Sequence, residues 1–305
     1  MTTIMQKAIT PQLAAAYLEG GYDRVAGFVV RAADVAFATT PARLFEAHGL
    51  GFPGSPFAPD DAAIHVLRFP ATPQLRFEDA IGGTDPETRA RTGGPFIDRP
   101  PFTGLGFVPV PGALVPLYWL VHSRIPAGSE LVRVTSDGAA QVVARFVDVA
   151  QGWVSDVVPV APPASPAIAR FVGPVAVWRG GPYAADPLDD GTVVLATEAE
   201  PEAALGFERT DAGRWRRVVP AGEVAELFEL NVTARWNGLE MRVVDSFRDA
   251  EGQPVARVSY TGHDADLAEG LRLQKVDAGV YEASVPMASL ADVTTAQLVP
   301  RTWAR

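Results

Sequence analysis

The chain of 305 residues contains no cysteine. Disulfides, thiolate nucleophiles and zinc held on sulfur are therefore excluded. Histidine is scarce as well: His48, His65, His122 and His263 are the only four, and no two stand at metal-ligand spacing. No H-E-x-x-H, G-x-x-x-x-G-K-[ST] or G-x-S-x-G sequence occurs, and Gly104-Leu-Gly106 lacks the third glycine of a dinucleotide fingerprint. We expect neither a bound metal nor a resident cofactor. Positive charge is in deficit, 26 Lys and Arg against 36 Asp and Glu for a net charge of −10. That balance argues against a nucleic-acid surface, which needs a basic face, and agrees with a basic protein partner. Long apolar runs are missing too. The greasiest window, Val108 to Val121, is shorter than the roughly 20 residues of a spanning helix and holds Pro109, Pro111 and Pro116. The first ten residues carry no secretory pattern. The expectation is a cytoplasmic chain without membrane contact.

What the chain has in quantity is turn formers, 28 Gly and 27 Pro, beside a hydrophobic fraction of 48%. The first part mixes short helices and strands. Thr10-Pro11 to Gly20 and Thr40-Pro41 to Gly49 share one grammar: a capping hydroxyl, proline at the first helical position, glycine at the exit. Gly27–Arg31, Ala63–Phe69 and Leu117–Ser123 read as strands, and Asp137-Gly138 between two apolar runs predicts a hairpin. From Thr72 to Gly112 the chain reads as a long Gly/Pro loop whose Phe96, Phe102, Leu105 and Phe107 fold back onto the body. Ala161-Pro-Pro-Ala-Ser-Pro166 reads as a linker and closes a first domain, 1–160.

Beyond it a unit recurs. Trp178-Arg-Gly180 answers to Trp236-Asn-Gly238, and Asp211-Ala-Gly213-Arg-Trp215 to Asp277-Ala-Gly279-Val-Tyr281. The offsets are 58 (236 − 178) and 66 (277 − 211), so the second unit is about eight residues longer, in the loop near Asp245 to Pro254. The expected units are 167–229 and 230–305, each a small sheet with one short helix, near Glu198–Phe207 and His263–Leu273. The expected class is α+β: a mixed N-terminal domain followed by two tandem β-rich repeats. Glu198-Ala-Glu200 and Asp264-Ala-Asp266 read as helix-start carboxylates rather than cation ligands. The recurring aromatics read as each unit's own core. Copy-specific Tyr183, Arg217 and His263 are the partner-binding candidates, together with Phe102 and Phe107 of the loop.

Two resemblances follow. Arg31 at the end of an early strand and Glu130 at the start of a late one resemble in order the ADP-ribosyltransferase toxins, over residues 24–135. That resemblance implies NAD as cosubstrate, with Arg31 gripping phosphate and Glu130 stabilising the oxocarbenium charge. The Ser-Thr-Ser strand and Glu-x-Glu loop of those toxins are not in this sequence. Ala234-Arg-Trp-Asn-Gly238, Tyr260-Thr-Gly-His-Asp264 and Gly279-Val-Tyr-Glu-Ala283 resemble a tandem domain of uncharacterised actinobacterial proteins, some of them associated with polymorphic toxin and immunity systems, over residues 171–295. The leading expectation is a non-catalytic interaction protein, immunity-type or regulatory, with a protein partner. The opposing one is an NAD-cleaving or ADP-ribosyl-transferring enzyme working through Arg31 and Glu130.

Overall fold

The computed structural model describes residues 2–52, 54–82 and 104–303. The chain enters as a strand, β1 (Ile4–Ile9), and turns through helix α1 (Pro11–Gly20) into β2 (Arg24–Arg31). Thr10 accepts a hydrogen bond from the Leu13 N–H and Gly21 leaves α1 with φ 64°, so the cap and exit are those the sequence predicts. Helix α2 (Pro41–Ala47) and strands β3 (Ala63–Pro70) and β4 (Phe77–Asp79) follow. Next come a two-stranded hairpin, β5 (Phe107–Val110) with β6 (Ala113–Pro116), and then β7 (Tyr118–Arg124). β8 (Ser129–Thr135), β9 (Ala140–Phe146) and the short β10 (Trp153–Val154) complete an eight-stranded sheet. Its order is β10-β9-β8-β3-β1-β2-β7-β4, antiparallel in every pairing.

β1 lies at the centre of that sheet although its sequence, Ile-Met-Gln-Lys-Ala-Ile, places two polar residues inside it. Both are accommodated. Lys7 is 3% exposed, with Nζ 2.8 Å from Asp277 and donating to the Phe28 carbonyl. Gln6 accepts from Arg68 Nε at 2.9 Å through Oε1, so its amide nitrogen faces His48 Nε2 at 3.0 Å and donates. His48 Nε2 must then be unprotonated, and burial, with Lys7 adding to it, pulls the His48 pKa down to about 3.

A second sheet of eleven strands follows. β11 (Pro174–Trp178), β12 (Gly181–Pro187), β13 (Thr192–Thr197), β14 (Glu208–Arg209) and β15 (Trp215–Pro220) lead to the long β16 (Glu226–Trp236). β17 (Leu239–Arg248), β18 (Pro254–Tyr260), helix α3 (Ala265–Gly270), β19 (Gln274–Asp277), β20 (Val280–Pro286) and β21 (Ala291–Leu298) complete it. The order runs β14-β15-β13-β12-β11-β16-β17-β18-β20-β19, with β21 also on β16. One pattern of pairings therefore occurs twice, β14-β15-β13-β12-β11 closed by the first half of β16, and β19-β20-β18-β17-β16 closed by β21. β16 serves both halves. Trp178 and Tyr281 are buried at 1% and 2% in the separate cores of those halves, and Trp236 packs half-buried against the second.

The class is β-rich, a correction to the α+β expectation. Among the described residues the α-helices are three, of ten, seven and six residues, against two large antiparallel sheets. The expected helix after Glu198 is only a three-residue 3₁₀ turn, Ala203–Leu205. Pro201 has no N–H to give a longer helix, and Gly206 ends the turn at φ 65°. Only the second half carries a helix, so the pattern of one helix per unit fails. Asp264 does cap α3, accepting from the Leu267 N–H, whereas Glu198 heads no helix and accepts instead from Ile168 N.

Four buried arginines join the sheets. Arg24 and Arg124 reach from the first sheet to the second, Arg24 to the Val244 carbonyl and Asp245, Arg124 to the Pro174 and Ala185 carbonyls and to Asp186. Arg242 and Arg214 reach the other way, to the His122 and Val149 carbonyls. Arg124 and Asp186 are both 2% exposed, so removing one partner strands the other without water. Arg124→Ala should cost about 3–5 kcal/mol in denaturant unfolding. A loss below about 1 kcal/mol, the scale of an exposed pair, would contradict this account. The lowered His48 pKa has a definite sign: the unfolded chain binds the proton between the ordinary value of 6.5 and about 3, so its contribution is full above pH 6.5 and is lost as pH falls. Unfolding measured from pH 7 to pH 4 should show a His48→Asn variant with an acid slope about one proton, roughly 1.4 kcal/mol per pH unit, shallower than the parent.

A cleft between the two sheets

Where β7 faces β16 to β18, the sheets leave a cleft of about 220 Å³. Trp119, Val121 and His122 of β7 line one side with Ala26 of β2 and Arg76 and Glu78 at β4. Asn231, Thr233, Arg242, Tyr260, His263 and Val280 line the other. Alternation along β7 puts Trp119 and Val121 on the cleft side, and a strand pattern of this kind is what two facing sheets require.

His263 is set by the turn after β18. Its φ is +55°, a conformation uncommon outside glycine, and the preceding Gly262 has no room for a Cβ because Tyr260 Oη lies 2.3 Å from where one would stand. The turn thus aims the imidazole across the gap. His263 Nε2 lies 3.1 Å from Glu78 Oε2, and its ring packs edge-on against Trp119 at 4.7 Å. The hydrogen bond from His263 is the largest cause of a lowered Glu78 pKa, opposed by burial. A second polar strut runs alongside, Arg76 Nη2 donating to Asn231 Oδ1 at 3.2 Å.

The floor is cationic and short of partners. Arg242 is 2% exposed and donates to Glu229 at 2.6 Å and to the His122 carbonyl. His122 is 5% exposed, and neither ring nitrogen has a hydrogen-bond partner among the described residues. Burial first, then Arg24, Arg242 and Arg257, hold its pKa well below 6.5, so the ring is neutral and its 3.5 Å approach to Glu282 is not an ion pair. Arg76 Nε is likewise buried and unpartnered. Burial, then Arg242, disfavours the Arg76 charge, with Glu229 and Glu78 acting against that. Buried polar atoms are nearly always satisfied, and these nitrogens, with Arg242 Nε, are exceptions gathered in residues that line one cleft.

Of the residues singled out in the sequence, His263 lines this cleft. Arg31 and Glu130 do not come together. Glu130 faces Arg68, Arg68 faces Gln6, and Gln6 faces Val30, so Glu130 shares a face with Val30 and Arg31 turns to the other. Three strand spacings, roughly 14 Å, also separate them. Arg31 instead lies over the Tyr118 ring, and Glu130 pairs with Arg145. Tyr183 and Arg217 stand together elsewhere, Tyr183 stacked on Phe207 beside Trp178, Arg217 donating to the Gly206 carbonyl. Phe107 is half-buried in β5, and Phe102 lies outside the described residues. Arg76, Trp119, His122 and Arg242 escaped the sequence reading because no spacing links them. Only Tyr260-Thr-Gly-His263 carried a local signal, a glycine between two ring side chains.

Removing the imidazole should raise the Glu78 pKa toward the ordinary 4.5, because the hydrogen bond that favours the carboxylate is gone. Carboxyl titration by NMR in a His263→Ala variant would show the upward move, and an unchanged or lower value would contradict the pairing. Glu78 is half exposed, so stability should change by less than about 1 kcal/mol.

Residues 173–299 match a family model described as an uncharacterised conserved protein. The matched segment runs from the start of β11 to just past the end of β21, and so takes in the eleven-stranded sheet and leaves out the eight-stranded one. No curated protein and no solved structure matches the chain.

Proposed function

We propose that the chain is a non-catalytic binding protein whose ligand is a small aromatic or otherwise planar molecule carrying a carboxylate, held in the cleft between the sheets. The observation that carries this reading is that Arg76, His122 and Arg242, each with buried nitrogens that no hydrogen bond satisfies, line one cavity. A carboxylate satisfies a guanidinium N–H and offsets the burial that disfavours the Arg76 charge. Trp119 and Tyr260, 6% and 8% exposed, with Val121 and Val280, supply flat apolar walls. A cavity near 220 Å³ is below the usual ~300–1,000 Å³ of drug-sized sites and suits a ligand of single amino-acid size. The enzymatic alternative with NAD loses support because Arg31 and Glu130 stand on opposite faces of one sheet.

A second reading, an immunity-type or regulatory protein covering a basic protein partner, is supported by the net charge of −10. A cytoplasmic setting goes with either reading and is supported by the absence of cysteine. Among the described residues no helix is long and apolar enough to cross a membrane.

Benzoate and benzylamine share a ring and differ in charge. Benzoate should raise the melting temperature and change tryptophan fluorescence saturably, and benzylamine should do neither. Arg76→Gln should weaken benzoate at least tenfold while the unliganded melting temperature stays close to the parent. Equal response to both probes, or benzoate binding indifferent to Arg76→Gln, would remove the proposal.

A further inference from the structure

β21 is unlike the strand it duplicates. The first half of the large sheet is closed by residues 226–229 of β16, where Phe228 and Glu229 are 6% and 2% exposed. β21 meets the end of that segment, with Glu229 opposite Leu298, and runs on along β16 from Leu230, opposite Gln297. The second half is closed by β21, and there Ala291 to Gln297 are exposed without exception. Among the described residues β21 pairs only with β16. One side-chain bond, Thr233 Oγ1 to Thr294 Oγ1 at 2.7 Å, supplements the backbone ladder. A strand with neither face buried and one edge open has little to repay its ordering.

The edge carries one of the usual guards, a bulge at Asp292–Val293 where Asp292 takes φ +49° and the register on β16 shifts, but from Thr294 to Leu298 it is regular and carries none. Val293-Thr-Thr-Ala-Gln-Leu298 has no lysine, no proline and no charge, and Asp292 at its start is the only ionisable side chain of the strand. Within the chain, the register of β16 on β21 shows what such a segment accepts: another closing strand, antiparallel.

We infer that β21 pairs antiparallel with β21 of a second copy of this chain, about a two-fold axis normal to the sheet at Thr294 or Thr295. Such an axis sets a residue opposite itself and its neighbours symmetrically about it. About Thr295, Val293 meets Gln297 and Thr294 meets Ala296; about Thr294, Val293 meets Thr295 and Asp292 meets Ala296. Neither register opposes like charges, and both keep each side chain on its own face of the joined sheets. A single strand pair buries less than the ~1,600 Å² of a standard interface, so the dimer is concentration-dependent. Salt favours it by screening the net charge of −10.

The cysteine-free chain makes the test direct. Residues opposed across an antiparallel pair stand about 4.5–5.5 Å apart at Cα, within disulfide reach. Mild oxidation of full-length Thr294→Cys and Thr295→Cys should therefore give a disulfide-linked dimer from one of them in high yield, and none from an exposed control, Ser284→Cys on β20. Sedimentation of the unmodified chain should show a monomer–dimer equilibrium. Val293→Lys with Thr295→Lys should abolish it, with circular dichroism and melting temperature unchanged. A monomer at the highest soluble concentration overturns the inference. So does a dimer that survives both lysines, or one that neither cysteine traps.

Discussion

Four guanidiniums, two from each sheet, hold this molecule in its arrangement. Arg24 and Arg124 point from the eight-stranded sheet, Arg214 and Arg242 toward it, and each is at most 7% exposed. What they grip is mostly backbone carbonyl, Val244, Pro174, Ala185, Val149 and His122, with carboxylates filling part of the remainder. That choice matters. A carbonyl is fixed by its strand, so an arginine that reaches it sets the position of one sheet against the other to within a hydrogen bond. A purely apolar face would tolerate sliding, and the planar fork of arginine, unlike the single point charge of lysine, can hold two or three acceptors at once. Dehydrating these charges is costly. The geometry is repaid only if every contact is kept, which makes the junction all-or-none rather than adjustable.

The cleft is a consequence of that junction. Arg242 holds the His122 carbonyl at its floor, and Gly27 on the neighbouring strand lets the Val280 wall approach, since a Cβ there would lie 2.8 Å from Val280 Cγ2. The Arg242 charge on the floor is largely spent on structure, on Glu229. Among the described cleft residues Arg76, His122 and Arg242 each keep at least one buried nitrogen without a hydrogen-bond partner, and His122 keeps both of its ring nitrogens so. A neutral imidazole beside guanidiniums cannot serve as a strong base, which favours binding over proton transfer at that end of the cleft.

Much of the fold could be read along the chain where the signal is local. Thr10-Pro11 and Thr40-Pro41 begin helices because a hydroxyl cap and a fixed φ act within one turn. Asp137-Gly138 makes its hairpin for the same reason. β1 was not legible: Gln6 and Lys7 break the apolar alternation, and the partners that make them tolerable, Arg68, His48 and Asp277, are dozens to hundreds of residues away. The Glu198 segment misled because its acidic start matched Asp264, while Pro201, three residues on, decided the outcome. Arg31 and Glu130 show the sharpest limit. Their order along the chain was right for a working pair, but the side on which each falls depends on the parity of the pairings through β3 and β1, which no single segment encodes.

The family match adds a constraint of another kind. It coincides with the eleven-stranded sheet, whereas the cleft takes Arg76, Glu78, Trp119 and His122 from outside the matched residues. Each half of the cleft is chemically incomplete without the other: the matched sheet supplies Asn231, Arg242 and His263, and the smaller sheet supplies the partners that position them. Conservation of the large sheet alone would therefore not conserve this site. A chain carrying the matched segment beside a different first sheet would keep the β16 platform and its open β21 edge while presenting another ligand surface, so edge pairing and cleft chemistry are free to vary independently.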